Sequence, residues 1–125
     1  MRNFIHFIST HWLIITAVIL SSITVLSLAP LDELPATPGS DKLHYLIAYA
    51  VLVIPLVFRK PKYWWFIIIL FLGYSGLIEL IQPYVNRYGE WLDMAANSLG
   101  IFCGLFIAEL LSFIFLARLS RSDQQ

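Results

Sequence analysis

The sequence predicts an all-α polytopic membrane protein with four transmembrane helices in an antiparallel bundle, on three observations. The 125-residue chain is 59% hydrophobic and only 13% charged, with a mean hydropathy of +0.78, which is too apolar for an ordinary soluble domain. Its apolar residues gather in four stretches, at 11–29, 43–58, 63–82 and 92–117, each near the ~20 residues that a helix needs to cross a hydrocarbon core. Prolines, glycines and charges separate them. The length suits one domain over residues 1–125.

The first stretch ends at Ser27-Leu28-Ala29, a small-residue motif of the kind a signal peptidase cuts. The apolar run before it is longer than a usual signal core and Pro30 would follow the cut, so a retained anchor is expected. Pro30, Asp32, Glu33, Pro35, Pro38 and Gly39 then make a connection that cannot continue a helix, because proline lacks the amide donor. The second stretch is the shortest and closes on a tight basic turn, Arg59-Lys60-Pro61-Lys62. The third passes into a turn from Pro83 to Trp91 that carries Asn86, Arg87, Gly89 and Glu90. The fourth contains Gly100 and Gly104, a small-xxx-small spacing that serves packing within the chain or pairing of two copies. A homo-oligomer is left open. Cys103 is the only cysteine, so no intrachain disulfide can form, and a small apolar packing role is expected for it.

Orientation follows from the basic residues. Arg2, Arg59, Lys60, Lys62, Arg118 and Arg121 fall on one side and only Lys42 and Arg87 on the other, so the positive-inside rule puts both termini in the cytoplasm. The expected location is the bacterial cytoplasmic membrane, crossed several times. Trp12, Trp64 and Trp65 suit the inner headgroup belt and Trp91 the outer one.

Under this topology the polar residues converge. Asp41 and His44 start the second helix, Glu79 and Gln82 end the third, and Asp93 and Asn97 start the fourth. All face outward in one layer. Each pair has an i, i+3 or i, i+4 spacing and therefore shares a helix face. Small residues continue those faces, Ser75 and Gly76 on the third helix and Gly100, Gly104 and Ala108 on the fourth, as expected of helices packed on one another.

Glu79 carries the most weight. It lies roughly 24 Å along its helix from Tyr63, just inside the hydrocarbon boundary, and near a helix C-terminus where the dipole disfavours an anion. A partner is expected for it, Lys42, Arg87 or water. Asp41 and Asp93 have a structural alternative as helix-start residues that cap amides and suit the dipole. His44 beside Asp41 is either an interfacial hydrogen-bonding group or an acid/base. Arg87 either neutralises Glu79 or Asp93, or holds a phosphate in its planar fork. Asn97 suits an interhelical bond. Glu109, deep in the fourth helix, marks a proton path, a snorkelling acid or a subunit contact. One outward histidine among scattered carboxylates lacks the spacing of a zinc motif, so no metal and no cofactor is expected.

Asp41-Lys42-Leu43-His44 followed by Tyr49, then Gly76-Leu77-Ile78-Glu79-Leu80-Ile81-Gln82, then Arg87 ahead of Asp93-Met94-Ala95-Ala96-Asn97-Ser98-Leu99-Gly100 with Gly104, resembles the VanZ-like family of small membrane proteins. The resemblance covers about residues 41–105. Between Arg87 and Asp93 relatives often have a small, hydroxyl or acidic residue, where this chain has Glu90. The family is named for a protein linked to lowered susceptibility to the glycopeptide teicoplanin, which implies an envelope role without fixing a reaction.

Together these readings give Glu79, His44, Asp41 and Asp93 as catalytic candidates and Lys42, Arg87, Gln82, Asn97 and Tyr49 as substrate-binding ones. The expected partners are membrane lipids and an envelope lipid or cell-wall precursor. A small transporter and a structural or regulatory subunit are the alternatives. Against transport stand the absence of a carboxylate in the first apolar stretch and the six-to-two basic asymmetry. Nucleic-acid binding is not expected, because net charge is zero and the basic residues flank membrane segments.

Overall fold

The computed structural model describes residues 2–30 and 41–122, and they are almost wholly helical, with no strand among them. The elements are α1 (Arg2–Thr10), α2 (Trp12–Leu28), α3 (Asp41–Leu52), α4 (Ile54–Arg59), α5 (Trp64–Ile81), a 3₁₀ turn (Gln82–Val85) and α6 (Trp91–Ser122). Most of the expected first connection, Asp32, Glu33, Pro35, Pro38 and Gly39, lies outside the described residues.

Three stretches are long and apolar enough to cross a membrane on their own: Asp41–Arg59, Trp64–Val85 and Trp91–Arg118. A fourth crossing is reached only if α1 and α2 count together as one bent span; α2 alone has 17 residues and runs about 25 Å. The chain is thus an all-α membrane bundle with three or four candidate spans. The second span is one path in two pieces, because Pro55 has no amide hydrogen to donate and the chain turns at Val53 before α4 resumes.

One element departs from the sequence reading. Residues 2–10, left unassigned there, form α1, which meets α2 at a bend of 74°. His11 sits at the break with φ −103° and ψ 19°, and its Nδ1 lies 3.0 Å from the Phe7 carbonyl oxygen. Ile5 and Ile8 of α1 turn toward α4 and α6 across an apolar cleft of about 580 Å³, while Arg2, Asn3 and His6 are exposed. Such a short amphipathic helix suits the membrane surface.

Two ion pairs fix the relative direction of the helices. Lys42 at the start of the second span lies 3.2 Å from Asp93 at the start of α6, and Lys60 at its end lies 2.5 Å from Glu109. The second span and α6 therefore run side by side in the same direction, with α2 and α5 opposed to them. Glu109, whose role the sequence left open, is an exposed partner of Lys60.

The tightest seam is between α3 and α6. A Cβ on Gly100 would collide with the Leu46 carbonyl, and one on Gly104 with the Ala50 carbonyl and Val53. Of the two uses foreseen for this small-xxx-small spacing, the structure shows packing within the chain. Around the seam Tyr49, Leu52, Val53, Leu56, Phe71 and Ile101 form the core, and α6 buries Asp93, Asn97, Gly100, Ile101, Gly104 and Ala108, a helical stripe.

Candidate functional site

Ala29 has φ −66° and ψ 137°, the extended conformation that a residue before proline is pushed into. This ends α2 and turns its last carbonyls sideways. Gln82 Nε2 donates to the Ser27 carbonyl at 3.2 Å and to the Tyr45 hydroxyl at 3.3 Å. Arg87 donates through one nitrogen to the Ala29 carbonyl at 3.3 Å and through another to Tyr45 at 3.0 Å. Asn86, at φ 58°, reverses the chain after the 3₁₀ turn and delivers Arg87 back to this cluster, where its amide donates to the Gln82 carbonyl at 3.0 Å.

A second cluster lies across the α3, α5 and α6 ends. Lys42 Nζ is 2.9 Å from Glu90 Oε2 and 3.2 Å from Asp93 Oδ1. The Glu90 amide donates to Glu79 Oε2 at 3.1 Å. A Cβ at Gly89 would collide with the Glu79 carbonyl, so glycine lets this turn cross the end of α5. The other Glu79 oxygen is enclosed and has no hydrogen-bond partner among the described residues.

A third contact lies deeper, where Asn97 Nδ2 donates to Ser75 Oγ at 2.8 Å. Both residues are buried. On the far side of α5 the Thr24 and Tyr74 hydroxyls bond to each other.

The expected polar layer is therefore present but divided. Glu79, Lys42 and Asp93 meet through Glu90, whereas Arg87 and Gln82 belong to the Tyr45 cluster. Glu79 takes a backbone amide, where Lys42, Arg87 or water was expected, and Arg87 spends its fork on neutral oxygens. Tyr49, Gln82 and Asn97, expected to touch substrate, are each at most 1% exposed. Asp41 and His44 are exposed, and no hydrogen bond joins them among the described residues. Tyr45 and Glu90 were not among the candidates. Tyr45 shares a helix face with Tyr49 at an i, i+4 spacing, a signal that was available; nothing local foretold that Glu90 would meet Lys42.

Beneath Glu79 a cleft of about 510 Å³ opens between α5 and α6. Gly73, Gly76, Leu77 and Met94 line its apolar part, and Glu79, Glu90 and Trp91 its polar end. Leu77, Leu80 and Trp91 are more than half exposed around it, so it faces the surface that a membrane would cover. Among the described residues no three His, Cys, Asp or Glu side chains gather as a metal site would require.

A family model, VanZ/LLP1, matches residues 1–114. The chain belongs to the VanZ/LLP1 family. The match takes in α1 and α2 as well as the 41–105 region on which the sequence resemblance rests. Neither the curated proteins nor the solved structures compared with this VanZ/LLP1 chain gave a match. Its site thus carries the argument about what it does.

Proposed function

We propose that this VanZ-like protein binds an envelope lipid or cell-wall precursor at the outer leaflet of the bacterial cytoplasmic membrane, with both termini cytoplasmic and Glu79 as the acid/base. The observation that carries the reading is the Glu79 carboxylate at the polar end of a membrane-facing cleft, one oxygen held by the Glu90 amide. A group that works on an amphiphile must stand where apolar and polar environments meet, and an ionisable side chain at that depth is costly without a task. The family's name adds an expected link to glycopeptide susceptibility.

Mass-spectrometric profiles of envelope lipids and precursors from cells lacking the protein test this. A species restored by the wild type and not by an equally abundant Glu79→Gln variant is the expected result, accompanied by a matching change in teicoplanin susceptibility. A profile identical in all strains would overturn it.

A second reading is favoured by the buried bonds Asn97–Ser75 and Gln82–Ser27. In it the polar layer locks the bundle of a structural or regulatory subunit. Substitutions at Glu79 and Arg87 would then lower abundance and change nothing else.

A further inference from the structure

Gly73 lies in the middle of α5, where glycine weakens a helix, and no close approach among the described residues requires it. A Cβ built there meets no atom within 4 Å, in contrast with Gly100 and Gly104. The space that Gly73 leaves open is the floor of the α5–α6 cleft. Its volume of about 510 Å³ falls within the roughly 300–1,000 Å³ usual for small-molecule sites.

The polar end has a definite chemistry. Two carboxylates, Glu79 and Glu90, and the 85% exposed Trp91 ring line it, and no lysine or arginine does. The last carbonyls of α5 add the negative end of a helix dipole. Acidic groups beside an exposed indole suit an ammonium, through charge attraction and the face of the ring. Lys42 pairs with Glu90 and Asp93 from the α3 side and Arg87 is held by Ala29 and Tyr45, which leaves Glu79 as the lining carboxylate with no lysine or arginine bonded to it among the described residues.

We infer that the α5–α6 cleft seats the hydrocarbon chain of a lipid from the surrounding bilayer, over Gly73, with an ammonium in the lipid headgroup beside Glu79, Glu90 and Trp91. This rests on the proposed envelope-lipid function and names the class of lipid.

The test uses the full chain in phosphatidylglycerol bilayer discs doped with phosphatidylethanolamine or phosphatidylglycerol carrying a photoactivatable diazirine on the acyl chain. Adducts are mapped by mass spectrometry. Phosphatidylethanolamine is expected to label the Gly73–Leu77 turn and Met94 several-fold more than phosphatidylglycerol does. Gly73→Leu, which fills open space, should remove that labelling and leave adducts at exposed Phe102 and Phe106 unchanged, while Glu79→Gln with Glu90→Gln should erase the preference between the two lipids. Equal labelling by the two lipids, or labelling of the cleft no denser than at Phe102 and Phe106, would overturn the inference; the wild-type map decides this even where a variant fails to fold. Cleft labelling together with an envelope profile indifferent to Glu79 would leave the inference standing and remove the proposed function. The reverse pair of results would do the opposite.

Discussion

Gly100 of α6 rests on the carbonyl of Leu46 in α3, closer than any other residue type would permit. Because the obstacle is backbone, no side chain can move aside. Gly100→Ala and Gly104→Ala are each expected to lower stability by about 1–3 kcal/mol, the usual range for overpacking. Thermal unfolding in detergent and accumulation in the membrane would check this, with unchanged midpoints arguing against the seam.

Gly73→Ala should do the reverse. Its Cβ has open space, and exchanging a mid-helix glycine for alanine is worth up to ~1 kcal/mol. The same unfolding assay applied beside the Gly100 variant makes the contrast internal, and a loss of stability at Gly73 in detergent would mean that other protein atoms fill the space beside it in the folded protein.

Lys42 is the cation of Asp93, a residue only 7% exposed. Lys42→Met leaves that carboxylate without its cation and is expected to lower the unfolding midpoint more than Glu90→Gln does, since Glu90 stays half in water. Adding Asp93→Asn to Lys42→Met should recover part of the loss. A double variant no better than the single one would count against the pairing.

Asn97 and Ser75 bond to each other inside the bundle. A double-mutant cycle with Asn97→Ala and Ser75→Ala should give a coupling near 0.6 kcal/mol, the membrane-protein average, and no more than about 1.7. Strict additivity of the two changes would show that the bond contributes nothing.

Arg87 reaches two acceptors with two different nitrogens, a geometry that a single ammonium cannot copy. Arg87→Lys should therefore loosen α2 from the bundle nearly as much as Arg87→Ala. Protease accessibility at the C-terminal end of α2 reads this, and a lysine variant indistinguishable from wild type would refute it.

The spans were legible because their signal is bulk apolarity, which needs no partner to be read. The polar layer was legible in part for the same kind of reason, since i, i+3 and i, i+4 spacings place Glu79 near Gln82 and Asp93 near Asn97. How the helix faces are rotated against one another was not. Gln82 turns toward Ser27 and Tyr45 while Glu79, three residues earlier, turns toward Glu90, and α5 gives way to the 3₁₀ turn between them. The same limit hid Glu90, which acts through a contact 48 residues away at Lys42. The helix α1 escaped because nine residues are too few for a periodic pattern to stand out from the run that follows.

At its C-terminal end α2 is held through main-chain oxygens, those of Ser27 and Ala29. Gln82 and Arg87 consequently recognise how the helix stops, and not which side chains it carries there. The specification lies in Pro30, whose ring forces the preceding residue to splay its carbonyl outward. Drift in the neighbouring side chains leaves this latch intact, whereas loss of one imino acid, which makes no hydrogen bond of its own among the described residues, would let the helix run on and swing both acceptors out of reach.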